Sequence, residues 1–169
     1  MIKLTQILIT LSFTLLPMVS LASEAAKTVA LTACSPERLQ GEGNLNFSTY
    51  ANKLLYVDFW ASWCGPCKLS FPFMNALKKE YPDTKLEIIA ISVDKKVADA
   101  EKFLNRTPAK FTTALDSSGS CPTAFGVEGM PHSFIIDTEG KVLYSHVGFR
   151  PSDPETLHSV IRKLINEHK

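Results

Sequence analysis

The chain carries no surplus of either charge. Its 169 residues include 18 Lys or Arg and 17 Asp or Glu, a formal net charge of +1. Nothing in that balance points to nucleic acid or to a strongly cationic partner. Internal repeats, low-complexity tracts and long linkers are absent, and with hydrophobic residues at 45% and charged residues at 21% wholesale disorder and a collagen-like fibre are excluded. No apolar run reaches the ~20 residues of a membrane span, which excludes a multi-span membrane protein. Cysteine is scarce: four residues are too few to staple a mini-protein, so each must be read singly. What remains is a length suited to one domain with a sizeable core.

Residues 1–22 read as a secretory signal, with Lys3 in a short positive start, an apolar stretch from Ile7 to Leu16, Pro17 as a break, and small residues at Ser20 and Ala22. Residues 1–22 hold Lys3 and no acid, so their removal leaves 17 basic and 17 acidic residues, a net charge of zero. An uncleaved signal would instead anchor the chain. Leu31-Thr32-Ala33-Cys34 has the form of a lipoprotein cleavage box, but Glu24 and Lys27 separate it from the apolar stretch, and Cys34 is read as an ordinary cysteine of the mature chain. With no other targeting mark, the periplasm is the expected compartment, an oxidising setting in which thiols pair.

Residues 23–50 are weakly patterned; an N-terminal segment at 23–44 is set before the domain at 45–169. Ser35-Pro36-Glu37 carries a helix-start signal, and Gly41 to Asn44 a turn. Leu54–Phe59 and Leu86–Val93 are short apolar runs suited to strands buried on both faces. Helices are expected over Gly65–Glu80, kinked by Pro72, and over Val97–Asn105. A strand at Phe111–Leu115 and a brief helix at Pro122–Phe125 follow. Ser133–Asp137 and Val142–Gly148 form a hairpin around Thr138-Glu139-Gly140-Lys141, and a final helix starts at Asp153-Pro154-Glu155. Strands alternating with helices imply an α/β fold: a mixed central sheet with helices on both faces, its early strands parallel through right-handed crossovers.

The chemistry lies in Trp60-Ala61-Ser62-Trp63-Cys64-Gly65-Pro66-Cys67-Lys68, between the first buried strand and a helix. Two thiols two residues apart can close a small disulfide ring at a helix start. Cys64 would gain from the unpaired N–H groups and dipole there, giving an exposed, acidic nucleophile, while Cys67 would be the shielded resolving thiol. Half of a structural zinc site is the other reading of such a pair. It needs two further ligands, and the chain offers no second Cys-x-x-Cys and only scattered histidines at 132, 146, 158 and 168. Asp58, inside the buried strand, is expected to have a raised pKa suited to taking a proton from Cys67; a satisfied structural carboxylate is the alternative. Cys34 and Cys121 permit a second disulfide by parity, and Cys121 at a helix start also reads as a reactive thiol near the site. Both readings stay open at this point.

The stretch Val57–Lys68 is similar to the active-site stretch of thioredoxins. Pro72 matches their helix-kinking proline, Phe125–Pro131 resembles their segment ending in a cis-proline, and Gly140 and Gly148 match the glycines of their closing hairpin. The likeness spans residues ~45–168. An extra helix and strand over ~97–115, before the cis-proline loop, resemble the insert of exported TlpA/ResA-type thioredoxin-like proteins. Asp58 departs from that group, where an amide is common. The lysine that thioredoxins pair with this acid is replaced by Ala90.

The resemblance implies a thioredoxin fold and a periplasmic thiol:disulfide oxidoreductase that reduces protein disulfides. It further implies a DsbD-type membrane reductase as electron donor, and no cofactor or metal. Pro131 would be cis. Met130 would meet a substrate peptide through its backbone, and Trp63, Gly65 and Pro66 would flank the nucleophile. His132, next to Pro131, is read as a core or solvent-facing histidine. A disulfide-forming oxidase is the alternative within the class. A copper-binding module using Cys64, Cys67 and His132 is the alternative outside it.

Overall fold

The computed structural model describes residues 27–50, 52–82 and 85–168; the expected signal at 1–22 lies outside them. In chain order the elements are β1 (Glu37–Arg38), β2 (Leu54–Trp60), α1 (Cys67–Glu80), β3 (Leu86–Ser92), α2 (Val97–Arg106), β4 (Thr112–Leu115), α3 (Ser120–Phe125), β5 (His132–Ile136), β6 (Val142–Val147) and α4 (Asp153–Glu167). The strands form one mixed sheet ordered β1-β4-β3-β2-β5-β6. β2, β3 and β4 run parallel, joined by the α1 and α2 crossovers, while β1, β5 and β6 pair antiparallel with their neighbours. α2 and β4 are the inserted pair, and they extend the sheet beyond β3.

β2 and β3 are continuous apolar runs because both of their faces are covered; all seven residues of each are buried. Alternation divides β2 between two cores. Leu54, Tyr56 and Trp60 face a cluster closed by Phe71 and Met74 of α1, Phe103 of α2 and Ile161 of α4. The rings of Trp60, Phe71 and Phe103 lie 4.6 to 5.3 Å apart, centroid to centroid. Leu55, Val57 and Phe59 face the opposite cluster, made with Phe125 of α3, Phe134 of β5 and the segment around Cys34 and Leu45. Pro72 lies inside α1, and α4 carries Asp153 and Glu155 in its first turn, facing the positive end of its dipole.

One expected element is absent. The helix-start signal at Ser35-Pro36-Glu37 opens no helix: Glu37 and Arg38 pair with Leu115 and Ala114 as the edge strand β1. The chain then turns back through Gly41 and Gly43, both at positive φ, and Leu45 N–H reaches Pro36 O at 2.8 Å. An open β4 edge offers backbone partners that outweigh a local capping preference. Further toward the N-terminus, Val29 N–H donates to Gly140 O and Val142 N–H to Lys27 O, both at 2.8 Å. Residues 27–45 are thereby tied to both ends of the sheet.

Candidate active site

β2 ends at Trp60, and the chain turns through Ala61–Pro66 before α1 begins at Cys67. The turn is held from both sides. Cys64 N–H donates to Ala61 O at 3.0 Å. Asp94, just past β3, accepts from Ser62 N–H at 2.9 Å, Ser62 Oγ at 2.8 Å and Ser92 Oγ at 2.8 Å. Sequence reasoning passed over this latch, because it joins residues 32 positions apart and no local motif marks it.

Cys64 and Cys67 form a disulfide. The Cys67 N–H, first of the helix's unpaired donors, points at Cys64 Sγ at 3.2 Å. Cys67 has no solvent exposure and Cys64 retains 5%, so Cys64 is buried rather than, as expected, exposed; of the two, only Cys64 lines the adjoining groove. The expected helix start at Gly65 is displaced to Cys67: Gly65 and Pro66 belong to the turn. The groove beside Cys64 has a volume of about 570 Å³. Trp63, Gly65 and Pro66 line one side, and Met130 lines the other with Val127 and Glu128. Trp63 is 69% exposed, while Trp60 is buried beneath the turn. The Met130–Pro131 bond is cis, as the resemblance implies. Pro131 O accepts the Gly148 N–H at 2.7 Å, which ties this loop to the end of β6.

Asp58 lies on the α1 face of β2 and is fully buried. Burial raises its pKa to about 7 against an opposing hydrogen bond from Ser133. Its register partner on β3 is Ala90, so no lysine stands across from it. Ser133 Oγ donates to Oδ1 at 2.6 Å, and Tyr56 OH donates to Ser133 Oγ at 2.8 Å. Sequence reasoning missed both partners, since a serine inside an apolar strand announces no role until β5 is paired with β2.

His132 is on the other face of β5, stacked on Phe134 with centroids 4.1 Å apart. Its Nδ1 accepts the Glu128 N–H at 3.3 Å, and burial lowers its pKa. It is a core histidine directed away from the α1 side. Cys34 and Cys121 are bonded to each other, both buried in the cluster opposite the dithiol. The reading of Cys121 as a free reactive thiol is thereby replaced by a disulfide. Among the described residues no group of three or more His, Cys, Asp or Glu is placed to hold a metal ion.

A strand, a dithiol turn, a helix and a facing cis-proline on a mixed sheet define a thioredoxin-fold protein-disulfide oxidoreductase. Comparison with known proteins narrows the class. The Redoxin family model matches residues 21–161, and the chain belongs to that family, on its TlpA/ResA-type branch. It is 31% identical over 126 residues to the thiol-disulfide oxidoreductase ResA of Bacillus thuringiensis subsp. konkukian, covering 75% of this chain and 71% of that one. Among solved structures it resembles a chain assigned as the thiol:disulfide interchange protein DsbE of Chlorobium tepidum. That chain has 42% identity and a TM-score of 0.70, over 78% of this chain and 98% of that one. The exposed lipoprotein thioredoxin Etrx1 of Streptococcus pneumoniae is similar at 27% identity and a TM-score of 0.64, covering 76% and 98%.

Proposed function

We propose that this oxidoreductase works in the periplasm as a reductant of protein disulfides, with Cys64 as nucleophile and Cys67 as resolving thiol. The Cys64 thiolate attacks one sulfur of a substrate disulfide. That S–S bond breaks, one substrate thiolate leaves, and a mixed disulfide to Cys64 forms. Cys67 gives its proton to the Asp58 carboxylate and attacks Cys64 Sγ. The second substrate thiolate departs, the substrate has gained two electrons, and the Cys64–Cys67 disulfide remains. A dithiol donor then restores the pair, and a membrane thiol reductase of DsbD type fits that role. Trp63, Gly65, Pro66, Met130 and Pro131 receive the substrate strand beside Cys64.

The observation that carries the reducing direction is the Gly65-Pro66 pair between the cysteines. It supplies no charge and no side-chain donor to Cys64 Sγ, which among the described residues accepts the Cys67 N–H. A thiolate so modestly stabilised leaves the disulfide hard to reduce and the dithiol a good electron donor. A trapping experiment tests the roles. Cys67→Ser leaves the mixed disulfide unresolved, so substrate proteins should accumulate on Cys64 as adducts released by a thiol reductant. No adduct, or adducts that persist in Cys64→Ser, would contradict the assignment.

A further inference from the structure

Asp58 is a buried carboxylate without a cation. Across the sheet it meets Ala90 on β3 and Ser133 on β5. Ala90 has no polar side-chain atom, which leaves Ser133 Oγ, donating to Oδ1 at 2.6 Å. Behind it, Tyr56 OH donates to Ser133 Oγ at 2.8 Å. All three side chains are buried. The other carboxylate oxygen, Oδ2, has no hydrogen-bond partner.

The direction of this chain of bonds follows from proton counting. A serine hydroxyl has one proton to give. With Tyr56 donating to its oxygen, that proton is directed onto Asp58. Tyr56 keeps its own proton, because burial and the neighbouring Asp58 raise its pKa. A hydroxyl aimed at a carboxylate binds the ionised form better than the neutral one. It also fixes the carboxylate plane. Alternation along β2 places Tyr56, Asp58 and Trp60 on one face, the face whose cluster contains Cys64 and Cys67.

We propose that Ser133, oriented by Tyr56, is a positioning residue for thiol–disulfide exchange, holding Asp58 by Oδ1 so that Oδ2 is the oxygen that takes the Cys67 proton. This deepens the dithiol reading above and rests on it. The proton passes from Cys67 Sγ to Oδ2, the Cys67 thiolate attacks Cys64 Sγ, and the substrate sulfur leaves with the electrons of the broken S–S bond. Asp58 returns its proton when the pair is reduced again. Among the described residues, the buried titratable groups of the cluster on that face are Tyr56 on β2, Cys64 in the turn and Cys67 at the start of α1. Tyr144 on β6 acts on Tyr56. β3 and β5 present Ala90 and Ser133. Burial and the Ser133 bond are what set the protonation of Asp58, so a change at Ser133 reads out there.

The test compares the reduced full chain with Ser133→Ala, Ser133→Thr and Tyr56→Phe. Difference infrared spectroscopy follows the Asp58 carboxyl band against pH, with Asp58→Asn as the blank. Single-turnover resolution of a mixed disulfide gives the rate profile. Ser133→Ala should move both midpoints upward by about one pH unit and slow resolution at pH 7 by about fivefold. Ser133→Thr, which keeps the hydroxyl, should restore the wild-type midpoints. Tyr56→Phe should shift them the same way by less, and it carries the test alone if Ser133→Ala does not fold. Unmoved infrared midpoints overturn the inference, and so does a moved infrared midpoint with an unmoved rate profile. Both failures leave Cys64 adducts intact, whereas failure of the dithiol reading abolishes them.

Discussion

Asp58 pays for its position in stability. Its folded pKa lies near 7, above the ordinary value of 3.8, because burial disfavours the charge. The folded protein therefore holds a proton between those values that the unfolded chain releases. The contribution of Asp58 to stability is therefore most favourable below about pH 4 and declines as pH rises through 7. The rise corresponds to roughly 4 kcal/mol. Asp58→Asn, which removes the charge and keeps the shape, should stabilise the protein by about 2–4 kcal/mol at pH 8, with the gain shrinking toward pH 4. Urea denaturation at both pH values measures this, and a pH-independent difference would contradict it. At the same scale, Cys64 should be alkylated before Cys67 in the reduced protein, since it is the more accessible sulfur and receives the Cys67 N–H of the α1 start. Mass mapping after brief alkylation decides the order. The cysteine pair and Asp58 were legible in the sequence because a short spacing and an acid inside an apolar strand are local signals. Ser133, Tyr56 and Asp94 were not, since each acts across strands or loops distant in sequence.

Between elements, the Cys34–Cys121 disulfide joins the N-terminal segment to α3 over a separation of 87 residues. Closing so long a loop restricts the unfolded chain by about 4–5 kcal/mol in the chain-entropy treatment. The double variant Cys34→Ser/Cys121→Ser should lose up to that much stability. It should leave the Cys64–Cys67 potential nearly unchanged, because its sulfurs lie on the opposite face of the sheet. A calorimetric melt and a thiol titration of the same sample read both quantities. Gly140 is a second tie. It sits at φ +83°, and an added Cβ would run into Val29 O. Gly140→Ala should therefore weaken the pairing of residues 27–29 with the hairpin and lower stability by about 1–3 kcal/mol, seen as faster amide exchange at Val29 and Val142. The sequence foretold the buried strands and amphipathic helices because hydrophobic period is a local property. It misread Ser35–Glu37 because β1 exists only once β4 presents an open edge. Parity permitted the Cys34–Cys121 bond, and only the assembled sheet brings the two sulfurs together.

At the scale of the whole molecule, the mixed sheet puts two cores on opposite sides of one layer and assigns them different work. One face carries α1, the dithiol and Asp58; the other is closed by a buried disulfide and the Phe59, Phe125 and Phe134 rings, with centroids 5.1 to 6.0 Å apart. The α2–β4 insert widens the layer without entering the groove, whose walls come from the Cys64 turn and the cis-proline loop. In the proposed mechanism, the direction of electron flow is set by how strongly the fold stabilises the Cys64 thiolate. A neutral Gly65-Pro66 pair stabilises it little, and a nearby Asp58 without a cation opposes it further. The reduction potential of the Cys64–Cys67 pair, measured by equilibration against glutathione at pH 7, tests this most directly. A value below about −200 mV, nearer thioredoxin at about −270 mV, is expected. A value near −120 mV, that of a strong disulfide-forming oxidant, would contradict it.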